Sequence, residues 1–176
     1  MKVESSDWMG LKGFAQDILK ELRRPAEEGV RDAARLFQRE TQEQLTGQRS
    51  GRQYRVLQSG SMIPVAYGPQ PKRKKGGGKL HTASSPGESP AVLTGRLRRS
   101  IAVDGPTWVG TWEVMADVGT NVEYARRLEY GGEDRLGRKM EARPYFAPAW
   151  LRSRDRVDAI LQAAIDRYSG GAGGGA

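Results

Sequence analysis

The chain has 176 residues, a formal net charge of +8, no cysteine and a single histidine, His81. This composition excludes disulfide scaffolds, thiolate metal sites and cysteine nucleophiles, and it makes any histidine triad depend on one residue. The length suits one domain with a substantial core, and no apolar run approaches the roughly 20 residues that cross a bilayer. We therefore expect a protein without a membrane anchor or secretory leader, made and kept in a cytoplasm.

The positive charge is concentrated in the middle of the chain. Residues 45–100 contain eleven basic residues and one acidic residue, Glu88, for a net charge of +10. The remainder contains 18 basic and 20 acidic residues, a net charge of −2. One surface is therefore expected to meet an anionic partner, either nucleic acid or an acidic protein face. The alternative is a solvated basic loop that only keeps the chain dissolved.

The first 45 residues are predicted to be helical, because their apolar side chains recur every three or four positions. This stripe comprises Trp8, Leu11, Phe14, Ile18, Leu22, Ala26, Val30, Ala33, Ala34 and Phe37. Pro25 interrupts it. Two arrangements fit: two helices that meet near Arg24, or one long helix kinked at Pro25.

Short strands and a basic arm are predicted next. Strands at 54–57 and 62–67 are expected to form a hairpin, with Pro64 restricting the second strand to a sheet edge or a bulge. From residue 67 to 90 the chain is rich in Gly, Pro, Ser and basic residues, and its PQPKRKKGGGK part has too few apolar side chains to order itself. We predict a mobile basic arm there. Its candidates for anionic contact are Lys72, Arg73, Lys74, Lys75 and Lys79.

Helical and extended elements alternate after residue 90. Thr94 is predicted to cap a helical turn that leads into a strand at 100–103, followed by a turn at 104–106 and a strand around Trp108. From residue 112 to 118, alternation predicts one buried face, formed by Trp112, Val114, Ala116 and Val118.

Two helices are predicted to complete the domain. Asn121 is expected to cap a short helix that runs through Tyr130 and ends at Gly131. Pro148 is expected at the start of the last helix. The apolar stripe of that helix comprises Trp150, Leu151, Val157, Ile160, Leu161, Ala164, Ile165 and Tyr168.

The predicted fold class is therefore α+β. It combines an N-terminal helix, a small antiparallel sheet with a long basic loop, a short helix and a C-terminal helix. These elements form a single domain over residues 1–169, and a flexible glycine-rich tail occupies residues 170–176.

No catalytic or metal constellation is evident in the sequence. The glycines at 76–78 precede Lys79 and Leu80, so they do not complete a phosphate-binding loop. Serines surround His81, but they lie in a loop with only Glu88 to orient a base. The acids near residue 129 are interleaved with arginines, a pattern typical of ion pairs. We predict no enzymatic activity, no cofactor and no metal site.

Three segments carry a more specific signal. They are SSPGESPAVLTGRLRRSIAV at 84–103, VGTNVEYARRLEYGG at 118–132 and ARPYFAPAW at 142–150. In order and spacing they resemble the head–tail joining proteins of long-tailed bacteriophages and gene-transfer particles, a family that includes neck, tail-completion and minor tail components. SGRQYRV at 50–56 and HTAS at 81–84 are also similar to that family's lead-in.

The resemblance implies a structural virion protein rather than an enzyme. It implies a ring, six- or twelve-fold, that joins the connector of the DNA-filled head to the tail and continues the DNA channel. The implied partners are further copies of the chain, a head-closure or connector protein on one side, and a tail terminator or tail-tube protein on the other. Packaged DNA could be touched without sequence preference, and no membrane is involved. The implied location is the virion neck or tail, assembled in the cytoplasm of the bacterial host.

The resemblance also selects candidate interface residues within those segments. They are Thr94, Gly95, Arg96, Leu97, Ser100, Gly119, Asn121, Tyr124, Glu129, Tyr130, Gly131, Arg143 and Pro144. Read from the residues alone, these are turn and core positions, with Tyr124, Leu128 and Tyr130 expected to anchor the short helix. The alternative function is a small basic protein that binds nucleic acid without sequence specificity.

Overall fold

The structure, a computed structural model, describes residues 5–65, 78–133 and 136–171, with side chains for residues 21, 23–65, 78–133 and 136–167. It confirms the α+β class. The helices are α1 (Ser5–Gln44), α2 (Arg96–Ser100), α3 (Ala125–Tyr130) and α4 (Phe146–Gly171). The strands are β1 (Gln53–Val56), β2 (Met62–Pro64), β3 (Lys79–Thr82), β4 (Ala102–Val109), β5 (Glu113–Gly119), β6 (Gly132–Glu133) and β7 (Lys139–Met140). Among the described helices, none has a segment of sufficient length and apolarity to cross a membrane.

The first element is one helix of 40 residues that contains Pro25. Of the two predicted arrangements, the continuous helix is therefore the one that forms. Its buried side chains include Ala33 and Ala34, as the periodicity predicts, and also Leu36. The predicted stripe from Trp8 to Leu22 lies outside the described side chains.

A three-stranded antiparallel sheet has the strand order β2-β1-β3. The predicted hairpin is confirmed: β1 pairs with β2, with Tyr54 opposite Pro64, and β2 lies at the sheet edge as Pro64 requires. Strand β3 corrects the predicted arm, because Lys79 lies opposite Val56 in a strand that was expected to be mobile. Main-chain pairing with β1 orders this segment despite its few apolar residues. Residues 66–77 lie outside the described part of the chain.

Strands β4 and β5 form a separate two-stranded sheet. The predicted turn at 104–106 is wrong, because β4 continues through Gly105 and a cis peptide bond to Pro106. A proline is tolerated there since both strands of a two-stranded sheet are edges. The predicted alternation in β5 is confirmed by the burial pattern, but Trp112 precedes the strand and is 77% exposed.

The two later helices begin elsewhere than predicted. Helix α3 starts at Ala125, not after Asn121, because the Thr120 hydroxyl accepts the N–H of Val122 and forms a local turn first. Gly131 ends the helix as predicted, donating its N–H to the Arg127 carbonyl. Helix α4 begins at Phe146, two residues before Pro148, which therefore sits inside the first turn.

The predicted apolar stripe of α4 is only partly buried. Val157 and Ala164 are buried, and Ile160 and Leu161 are partly buried. Trp150, Leu151 and Ile165 belong to the predicted stripe but are exposed. Tyr168 lies outside the described side chains.

The chain divides into two compact units, each built from non-contiguous segments. Unit 1 contains Met1–Gln38, Val103–Val118 and Ser153–Ala176, and its core cluster brings Ala33 and Leu36 of α1 against Val157 of α4. Unit 2 contains Arg39–Ala102 and Gly119–Arg152. Its largest fully buried side chains are those of Leu45, Thr41, Ile101 and Tyr145.

Candidate assembly surface

The three segments that carry the resemblance all contribute to unit 2 and are hydrogen-bonded to one another. The Gly87 N–H donates to the Ala142 carbonyl at 3.0 Å. The buried Ser89 hydroxyl donates to the Pro144 carbonyl at 2.7 Å. These bonds join the first segment to the third, and Pro144 serves in them as an internal acceptor.

Arg143 links all three segments. Its backbone N–H donates to the Leu128 carbonyl at 2.6 Å, and its guanidinium Nε donates to the Ser84 carbonyl at 3.4 Å. Arg143 is half-buried. Arg143 therefore joins the segments through hydrogen bonds to main-chain carbonyl groups, and not through an ion pair with a carboxylate.

Glu129 links the second segment to the third through three hydrogen bonds. Its side chain is 8% exposed, and its carboxylate accepts the backbone N–H groups of Tyr145 (2.8 Å), Phe146 (3.1 Å) and Ala147 (3.0 Å). These donors are the free N–H groups at the start of α4, where a helix also favours negative charge. Glu129 is therefore an internal anchor for α4. Burial raises the pKa of the adjacent Tyr145 phenol well above its usual value, and the Glu129 charge adds to this effect.

Thr94, Gly95 and Leu97 fix the entry to α2. The Thr94 hydroxyl accepts the Arg96 N–H at 3.3 Å, and Gly95 occupies the cap position with φ +74°, which favours glycine. Leu97 is buried, as predicted. The Ser100 hydroxyl ends the helix by donating to the Leu97 carbonyl at 2.8 Å.

Several other candidates from the second segment lie at the surface. Tyr130 is 77% exposed, so the prediction that it anchors α3 in the core is wrong. Asn121 and Tyr124 are also exposed, and Gly119 ends β5 with open space around it. Gly131 is different, because a Cβ there would lie 2.8 Å from the Met140 carbonyl oxygen. The buried contacts of α3 come from Ala125 and Glu129 instead.

One organised site was missed by the sequence analysis. Glu88 accepts the Ser50 hydroxyl at 2.6 Å, the Ser50 N–H at 3.1 Å and the Ser85 N–H at 2.9 Å. These bonds, the Ser50 hydroxyl first, lower the pKa of Glu88 to about 2. Glu88 therefore holds two loops together and is engaged by serines rather than by His81. The available signal was its position as the lone acid in a strongly basic stretch.

A groove of about 670 Å³ opens on unit 2. Its apolar lining includes Leu45, Met62, Ala91, Val92, Leu93, Leu97, Tyr124, Leu128 and Met140. Its charged lining consists of Arg96, Arg98, Arg127 and Arg143, and no acidic side chain of the described residues lines it. Six of the resemblance candidates thus come together around one apolar and cationic depression: Thr94, Gly95, Arg96, Leu97, Tyr124 and Arg143. We refer to it as the arginine groove.

The described residues bear on the predictions for metal ligands, for His81 and for the basic arm. They contain no group of three or more His, Asp or Glu side chains that could hold a metal ion. His81 lines the arginine groove, whereas the nearby Ser85 and Glu88 bond to Ser50. Of the residues predicted to contact an anionic partner, Lys79 is exposed at the start of β3, and Lys72, Arg73, Lys74 and Lys75 lie outside the described residues.

Comparisons with protein-family models, curated proteins and solved structures found no match to this chain.

Proposed function

We propose that this chain is a structural protein of a phage-like neck. In this proposal, copies of the chain form a ring between the head connector and the tail, and the ring continues the DNA channel. The chain performs no catalysis of its own and needs no cofactor. Its location is the neck of the particle, after assembly in the cytoplasm of the bacterial host.

The observation that supports the proposal is the convergence of the three resembling segments. They are separate stretches of the sequence, and the hydrogen bonds of Arg143, Ser89 and Glu129 join them. Together they leave an apolar groove bordered by arginines. Such a surface suits contact with other proteins, because it offers apolar area for burial and charge for orientation.

The direct test interrupts the coding sequence in the host that produces the particle and supplies the chain in trans as the control. We expect negative-stain images to show DNA-filled heads and separate tails, and we expect joined particles to return on complementation. An antibody against the full chain should label the head–tail junction. Joined particles in the interrupted strain would overturn the proposal.

The basic arm has its own prediction within this proposal. A ring of subunits would concentrate the charges of Lys72, Arg73, Lys74 and Lys75, and only an anionic neighbour would offset their repulsion. Changing the four to serine should therefore impair head–tail joining, DNA retention or both. Impaired retention alone would identify DNA as the neighbour, and impaired joining alone an acidic protein. Normal joining and normal retention would contradict a functional role for the arm.

The alternative, a nucleic-acid-binding protein that acts alone, makes a different prediction. It requires sequence-independent DNA binding that weakens steeply with salt, and no association into rings. Mass photometry of the purified chain and DNA gel shifts at two salt concentrations distinguish the alternatives. A DNA-binding chain without rings, together with normal particle assembly in its absence, would favour the alternative.

A further inference from the structure

Three arginines of the arginine groove carry unbalanced charge. Arg96, Arg98 and Arg127 are exposed, and none forms an ion pair with an acidic residue of the described chain. Other basic residues do find such partners, as Arg152 does with Glu40 at 3.9 Å. Cationic groups gathered without counter-charge raise the local positive potential and favour an anionic ligand.

The same groove exposes apolar side chains between these charges. Val92 is 42% exposed, Leu93 46% and Met62 39%. Apolar area left in water at a depression is typical of a site that another molecule covers. The expected ligand therefore combines apolar groups with negative charge.

The two longest segments of this chain beyond the described residues, 66–77 and 172–176, do not have that composition. Residues 66–77 contain four basic residues and no acid, so the arginines would repel them. Residues 172–176 are only glycine and alanine, which offer no large apolar side chain. Charge and apolar content thus indicate a segment of another protein.

Nucleic acid fits the groove less well than a peptide does. Proteins that bind single strands stack bases on aromatic side chains, and duplex DNA presents mainly phosphates to a basic surface. The apolar lining here is chiefly aliphatic, with Tyr124 and His81 as its aromatic side chains. Aliphatic side chains are better matched by leucine-like side chains than by nucleotides.

We propose that the arginine groove binds an acidic, apolar peptide segment of a neighbouring protein. Carboxylates of the segment pair with Arg96, Arg98 and Arg127, while its apolar side chains contact Val92 and Leu93. In the neck this segment would belong to an adjacent component, so the biological assignment rests on the proposed function. The binding chemistry itself can be measured on the isolated full chain.

The test selects a random dodecapeptide display library against the immobilised full chain. We expect enriched peptides to combine Asp or Glu with Leu, Ile or Phe. The most enriched peptide is then labelled, and its binding is measured by fluorescence anisotropy at low and high salt. Binding should weaken as salt rises, since part of it is exposed ion pairing.

Helix α3 provides a matched pair of variants. Arg127 lines the groove, whereas its exposed neighbour Arg126 does not. Arg127→Glu should weaken peptide binding about tenfold, corresponding to about 1.4 kcal/mol, and Arg126→Glu should change it far less. For the apolar part, Leu93→Ser should also weaken binding, whereas Ile165→Ser, an exposed change in unit 1, should not. Melting temperatures identify variants that fail to fold, and Arg96→Glu replaces Arg127→Glu if the latter does.

Four results would overturn the proposal: no enrichment over the uncoated surface, enriched peptides without acidic residues, equal effects of Arg126→Glu and Arg127→Glu, or displacement of the peptide by an unrelated DNA oligonucleotide. The last result would make the groove a nucleic-acid site. Loss of head–tail joining tests the proposed function separately. Peptide binding with normal joining would refute the neck assignment and leave the groove's specificity standing.

Discussion

Replacing Glu129 with alanine should destabilise the protein by about 2–5 kcal/mol, because three backbone donors would lose one acceptor. The N–H of Tyr145 lies beside a ring that is 1% exposed, so water cannot easily replace the lost bond. A buried donor left without a partner costs about 1–3 kcal/mol. Phe146 is half-buried and Ala147 exposed, so their N–H groups can be partly rehydrated at about 0.5–1 kcal/mol each.

Urea denaturation followed by far-ultraviolet circular dichroism measures this loss. With a slope of about 2 kcal/mol per molar urea, the midpoint should fall by roughly 1–2.5 M while the slope stays the same. Glu129→Gln keeps one oxygen acceptor and should lose about half as much. Glu123→Ala is the control, since this exposed glutamate precedes α3 and should change stability by less than about 0.5 kcal/mol. A Glu129→Ala midpoint equal to that of Glu123→Ala would refute the anchoring role.

Two further predictions concern a helix contact and a pH dependence. Gly29→Ala should destabilise unit 1 by about 1 kcal/mol, because the added Cβ would lie 2.5 Å from the Ala164 Cβ. The cost of such overpacking, about 1–3 kcal/mol, outweighs the gain in helix propensity. Gly119→Ala has open space and is the control; thermal melting that ranks the two variants equally would contradict this packing. Glu88→Gln should lower the urea midpoint near neutral pH, because the folded pKa of Glu88 is about 2, below its unfolded value of about 4.3. The stabilisation by the Glu88 charge is complete above the unfolded pKa and disappears as pH falls through about 2. The urea midpoints of the wild type and the variant should therefore converge at low pH. A constant difference between the midpoints across that range would show that the Ser50 contact acts without the charge.

Local patterns predicted the elements whose signals are contained in a short stretch of chain. The periodicity around Ala33, the hairpin that contains Pro64 and the helix end at Gly131 all depend on neighbours within a few residues. For the same reason the α+β class could be predicted. Strand β3 could not be, because its order comes from pairing with β1, more than twenty residues earlier. Trp112 was wrongly predicted to be buried, because the alternating pattern extends one residue before the actual start of β5.

The candidate site was predicted as a set of residues but not as an arrangement. Arg143 and Glu129 were identified from the resemblance, yet their roles depend on donors and acceptors that are distant in sequence. The arginine groove likewise combines residues from α2, α3 and the strands, and no local motif encodes that convergence. Tyr130 illustrates the converse: an aromatic residue at a helical position resembles a core residue until its exposure is known.

The core of unit 1 imposes an order of events on synthesis. Ala33 and Leu36 pack against Val157, so the two sides of this cluster are separated by more than 120 residues of chain. During translation the apolar face of α1 emerges from the ribosome first and must remain without its partner until α4 follows. During that interval the apolar face of α1 is exposed to solvent, so chaperone binding or premature self-association becomes the main risk during synthesis. The same delay means that a nascent chain cannot present a finished unit 1 to an assembling particle.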